Sequence, residues 1–163
     1  MASILKLDMD ELDEVFYHLI AIHTSLEDYH LAYHINKELP TQLKKIPIDL
    51  QVTHKKQETC YTRFHFEDQK ELISWDLLEN KNSKSQSINL KDSDLFSQSE
   101  IAVSTTNYLL PEFKKVNYFL KITNERRERK ITEFIAKINS IEKINLVYCI
   151  NAETIKNKNN LIF

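Results

Sequence analysis

The sequence predicts a single α+β domain, a two-layer sandwich of a mostly antiparallel sheet with two main helices on one face. Three observations predict it. Apolar and polar residues alternate over 45–53 and 59–66, the period of a strand with one solvated face. Two segments repeat their apolar residues at helical spacing instead, through Leu31, Ile35 and Leu39 and through Ile131, Phe134, Ile135, Ile138 and Ile141. The segments follow the order strand, helix, three strands, loop, strand, helix, strand, which suits helices segregated to one side of a sheet. A chain of 163 residues fits one domain and buries roughly 70% of its unfolded surface, enough for a core without staples.

Residues 1–13 form an acidic lead-in with some apolar content. Residues 15–23 (V-F-Y-H-L-I-A-I-H) are a nearly continuous apolar run rich in β-branched and aromatic side chains, hence a buried strand. Thr24-Ser25-Leu26-Glu27 offers a capping box, with Thr24 as N-cap and Glu27 reaching back to it. The helix that follows runs to about Leu39, and Pro40 ends it. Over 45–53 the inward set is Ile46, Ile48, Leu50 and Val52, and Pro47 marks an edge strand. Residues 59–66 and 72–78 form a long hairpin about the polar turn 67–70. Residues 80–94 read as a flexible polar loop. Residues 101–106 fit a short strand or a helix end. Residues 116–123 are a strand, Asn124 is the N-cap of the second helix, and Asn139 helps to end it in a chain without glycine. Residues 144–150 are a last buried strand. That final strand-helix-strand unit can place two parallel strands in one sheet through a crossover. Leu161-Ile162-Phe163 is apolar enough to dock on the body.

Composition excludes several functions. The chain has no glycine, where an average composition supplies roughly 11. Its 18 Lys, 18 Ile and 13 Asn beside 4 Arg point to A/T-rich codons as part of the cause. A genome so biased still keeps a glycine that chemistry requires. The Walker A loop, the Rossmann fingerprint, the kinase glycine loop, the nucleophile elbow and the EF-hand loop all need one, because only glycine takes φ > 0 freely or lets backbone approach a ligand. No cofactor is implied. A net charge of −2 gives no global basic field of the kind most nucleic-acid binders carry. The first residues lack a signal-peptide pattern, and no run reaches the ~18 apolar residues of a membrane span. A cytoplasmic location without membrane contact follows as the expectation. Cys60 and Cys149 lie in apolar strand segments without metal-ligand spacing and read as buried thiols.

At 110–118 the chain reads L-P-E-F-K-K-V-N-Y. This resembles the signature of the IPExxxVDY family of uncharacterised bacterial proteins. Pro111, Glu112, Val116 and Tyr118 agree with it, Leu110 stands for isoleucine, and Asn117 stands for the family's aspartate. The patch Leu26-Glu27-Asp28-Tyr29, with Leu31 and Asn36, is similar to the family's first helix, and the overall length is similar too, so the resemblance would cover most of the chain. It implies a family and no activity. Asn117 cannot ionise or act as a base, yet it still accepts a hydrogen bond. The motif therefore reads first as structural, with Pro111 barring a helix and Val116, Tyr118 and Leu120 falling on one strand face. A ligand site on Glu112 and Tyr118 is the alternative.

Two clusters could carry chemistry. His30 and His34 lie one helical turn apart and could share a metal, but Leu31 and Ala32 replace the zincin glutamate and the third ligand is undefined. The bland reading is a surface stripe beside Tyr29 and Tyr33. Arg126, Arg127 and Arg129 open the second helix, where cations oppose the macrodipole and could gather an anion or phosphate. Glu125 and Glu128 dilute that charge, so a solvated face competes with it. Tyr61, Phe64, Phe66, Trp75, Tyr118 and Phe119 read as core rather than as base-stacking platforms. No Ser-His-Asp or Cys-His set assembles from local spacing. The leading expectation is a small non-catalytic binding or assembly module. Its partner is another protein or a second copy through an exposed strand edge. A nucleic acid or nucleotide held by the arginines, and a metal enzyme on the His pair, are the alternatives.

Overall fold

Strand β1 (Tyr17–Thr24) forms where the first apolar run predicts it, and it becomes the second strand of a six-stranded sheet. The computed structural model describes residues 15–54, 57–87 and 102–163. In chain order the elements are β1, α1 (Asp28–Glu38), β2 (Lys44–Lys45), β3 (Leu50–His54), β4 (Gln57–Tyr61), β5 (Arg63–Asp68), β6 (Ile73–Glu79), β7 (Lys81–Ser87), β8 (Ala102–Tyr108), β9 (Tyr118–Thr123), α2 (Glu128–Asn139) and β10 (Ile144–Ile150). The main sheet runs β10-β1-β9-β6-β5-β2, and every neighbouring pair in it is antiparallel. The fold is α+β, with both helices on one face. Strands β9 and β10 do run parallel within one sheet, as the crossover requires, but β1 lies between them.

Side-chain parity builds two cores. Towards the helices, Ile20, Ile22, Trp75, Leu77, Leu120 and Ile122 meet Leu31 and Ile35 of α1 and Ile131, Phe134 and Ile138 of α2. Trp75 and Phe134 pack edge to face with 4.9 Å between ring centroids. The other face is not open to solvent, as the alternating pattern had suggested. Leu19, Ala21, Leu78, Phe119 and Ile150 project from it and are covered by Val52 and Tyr61 of the β3-β4 hairpin, by Leu109, Leu110 and Val116, and by Ile155 and Leu161. Irregular segments supply most of that cover, and they carry no period from which it could be read.

Several local expectations are corrected. Pro47 splits 45–53 into β2 and β3, and the chain breaks again at Thr62, so β3-β4 forms its own two-stranded sheet. The first helix starts at Asp28 with Glu27 as its N-cap and no side-chain cap. Thr24 instead accepts from the Leu26 amide and donates to the Lys143 carbonyl, because its bonds hold β1 to the α2–β10 turn. The second helix is capped at Arg127, with no side-chain cap. Asn124 sits three residues earlier in the left-handed region at φ 68°, and Ser140, not Asn139, follows the last helical turn. Residues 81–87 are a strand rather than a loop: β7 pairs with β8, and backbone pairing holds a polar segment that composition alone reads as unstructured. Residues 88–94 of that expectation, Ile101 and the 1–13 lead-in lie outside the described residues. The remainder of 101–106 is strand. Cys60 is half-buried and Cys149 exposed, since β10 is a sheet edge.

A cationic cavity on the face away from the helices

Strands β5, β6 and β9 each place one polar, ionisable residue on the same row of the sheet. His65 is the register partner of Asp76, and Asp76 is the partner of Lys121. Arg63 lies two residues from His65 on the same face. Asp76 is buried, and its Oδ1 accepts from Arg63 Nε at 2.9 Å and meets His65 Nδ1 at 2.8 Å. A buried carboxylate needs such partners, because an unpaired one costs several kcal/mol. The Lys121 ammonium is also buried and donates to the Leu161 carbonyl at 2.6 Å. Burial lowers the Lys121 pKa, and the Asp76 charge works in the opposite direction.

These groups floor a cavity of about 640 Å³ with Ser74, Thr123 and Tyr17, a volume within the range of small-molecule sites. Its walls come from both ends of the described chain. Val15 and Phe16 precede β1, and Lys158, Leu161, Ile162 and Phe163 arrive from the segment after β10. The Phe163 ring lies 4.1 Å from the Arg63 guanidinium and 4.5 Å from Lys121 Nζ, and Tyr17 gives Lys121 a second ring at 5.1 Å. The covering segment is anchored well. Leu161 is buried, Asn160 donates to the Leu109 carbonyl, and Glu112 accepts from the Lys156 and Asn157 amides and from the Asn157 side chain. Burial pushes the Glu112 carboxyl up, but the bonds from Asn157 and Lys156 outweigh it and hold it below the ordinary carboxylate value.

The 110–118 segment lies behind this cavity rather than in it. Leu110 and Val116 are buried in the second core, Pro111 opens a short 3-10 turn (Pro111–Phe113), and Tyr118 donates to the Leu26 carbonyl. Asn117 Oδ1 accepts from the Thr24 amide at 3.0 Å, and its backbone bonds to Ile22 and Asn80. Asn80, the first residue of the polar stretch 80–94, is the hub. It is fully buried, donates to the Phe113 and Val116 carbonyls and accepts from the Leu110 amide. Glu112 reaches the cavity only through the segment it tethers.

The expected clusters are not joined into one site. Arg127 pairs with Glu125 and Glu71, Arg129 with Glu133, and Arg126 lies over the Phe16 ring. His30 packs on Tyr29 and His34 on Tyr33, and among the described residues no group of three or more His, Cys, Asp or Glu could hold a metal. Asp76 does orient His65, and Ser74 lines the same cavity, but among the described residues no hydrogen bond joins Ser74 to His65. What the cavity offers is N–H donors and aromatic faces around one neutralised carboxylate.

Sequence reasoning missed this cavity. The available signal was a lone charge in each of two apolar strands, Asp76 in L-I-S-W-D-L-L and Lys121 in V-N-Y-F-L-K-I-T. No family model matches the chain. No curated protein and no solved structure matches it either.

Proposed function

We propose that the protein is a binding module whose site is the cavity over β5, β6 and β9. The observation that supports this most is the cavity itself: about 640 Å³, floored by Arg63, His65, Asp76 and Lys121 and walled by aromatic and aliphatic side chains. A mostly apolar cleft with a few convergent polar groups is the usual form of a small-molecule site. A ligand-observed NMR screen of small acids, amines and neutral compounds tests it, with hits mapped on the Thr123 and Ile162 methyl signals. Hits that move these signals are expected. Hits that move only distant signals, or none, overturn it.

A second reading, assembly, draws on strand β10. It is one edge of the main sheet, carries no charged residue over Ile144–Ile150, and leaves Leu146 half exposed. The β1–β10 register slips at Asn145, between the pairs His23–Leu146 and Thr24–Ile144, but an edge without charge or proline is still a template for another strand, and a second copy is the partner it fits. Sedimentation is expected to show a dimer that Leu146→Lys dissociates. A wild-type monomer at high concentration removes this reading. Membership of the IPExxxVDY family is proposed on the residues at 110–118, and a cytoplasmic location is proposed on the sequence pattern. Among the described residues no helix is long and apolar enough to cross a membrane.

A further inference from the structure

The cavity is lined by two chemically different sets of side chains. Its floor holds the Arg63 guanidinium and the Lys121 ammonium, and Lys158 stands at its wall; among the described residues that line it, Asp76 carries the one side-chain carboxylate. Asp76 Oδ1 is already engaged by Arg63 and His65. Lys121 has three N–H donors, one of which goes to the Leu161 carbonyl. Its mouth is apolar and exposed: Val15 is 59% exposed, Phe16 42%, Ile162 76% and Phe163 40%. Large apolar side chains scattered singly over a surface are ordinary, but a cluster around one opening marks a binding site. The Phe163 ring over Arg63 and Lys121, with the Leu161 carbonyl on Lys121, shows what the cations accept from this chain: an apolar body and an oxygen acceptor side by side.

Resting on the reading of this cavity as a ligand site, we propose that its ligand is a small amphipathic acid, with the acid group on Lys121 and Arg63 and an aliphatic or aromatic body between Phe16, Ile162 and Phe163. The acid supplies the charge that the floor lacks. The body covers apolar surface that water now meets, at roughly 25 cal/mol per Å². A charge-assisted hydrogen bond at a partly desolvated floor is about twice as strong as a neutral one, so an acid is favoured over its amide.

The test is calorimetric titration of the full chain with octanoate, 3-phenylpropionate and the two corresponding amides. The acids are expected to bind at least about tenfold more tightly than their amides, the equivalent of about 1.4 kcal/mol. The pair of acids separates an aliphatic from an aromatic body. Lys121→Met is expected to bring acid and amide to equal affinity. Ile162→Asp, at a solvent-exposed position that leaves folding intact, is expected to weaken both acids more than both amides. Equal binding of acids and amides to the wild type overturns the acid assignment and leaves the cavity as a ligand site. Binding of neither class, with the Ile162 and Thr123 methyl signals unmoved, overturns the acid assignment, and hits from the broader screen then decide the cavity reading separately.

Discussion

Asn80 shows how one side chain can hold a loop. Its amide satisfies the Phe113 and Val116 carbonyls and the Leu110 amide, all at a buried junction of β6 and β7. The Phe113 carbonyl also accepts from the Val116 amide, so truncation strips the Val116 carbonyl and the Leu110 amide of their Asn80 bonds, and each buried orphan costs about 1–3 kcal/mol. Asn80→Ala is therefore expected to lower stability by about 2 kcal/mol or more in urea unfolding, whereas Asn82→Ala, two residues along the chain, loses its bond to the Cys60 carbonyl and costs less. Equal effects at the two positions would contradict the hub. Glu112 carries a pH dependence of definite sign. Its folded pKa lies below its unfolded value, so its contribution is complete above the ordinary carboxylate range and is lost as pH falls through the depressed folded value. Glu112→Gln is expected to flatten that acid limb in a stability-against-pH series, while a limb unchanged from wild type would remove Glu112 as its source. The motif residues around it were visible in the sequence, and Asn80 was not, because nothing in a run of Asn, Lys and Ser distinguishes the one side chain that the fold buries.

At the scale of elements, the absence of glycine has a conformational cost. Leu72, Asn124 and Lys143 adopt φ of 56°, 68° and 69°, in the turn before β6, ahead of α2 and ahead of β10. Residues with a Cβ lose roughly 1–2 kcal/mol there. Leu72→Gly and Lys143→Gly are each expected to raise stability by about 1 kcal/mol, less what glycine loses in chain entropy. Thermal melts that fall for both variants would show that the side chains matter more than the turns. Helices and strands with strong periods were legible: α2 and β10 lie where their patterns place them. Their first residues were not, because the side chains that looked like caps serve other contacts. Thr24 ties β1 to Lys143, and the turn at Asn124 needed a residue tolerant of φ > 0. The split at Pro47 and Thr62 was equally hidden, since alternation runs on through both breaks while the pairing partner changes.

At the scale of the molecule, the candidate site is made by pairing at a distance. Asp76 and Lys121 were each visible as a charge in an apolar strand, but only the β6-β9 register puts them side by side, and only the docked segment after β10 closes a cavity over them. The second core was unreadable for the same reason, because loops cover it. A calorimetric acid preference that Lys121→Met erases, and a dimer that Leu146→Lys dissociates, are the two outcomes that bear on the molecule as a whole. The position of β1 has a further consequence. It is flanked by β9 and β10, so Leu19 finds Lys121 on one side and Ile150 on the other. During synthesis β1 emerges long before either neighbour, and its apolar residues stay unpaired until nearly all of the rest has been made. Loop closure over such separations makes folding slow, and a nascent apolar strand is exposed to aggregation meanwhile. The same apolar run that centres the finished sheet is thus the segment of the nascent chain that waits longest for its partners.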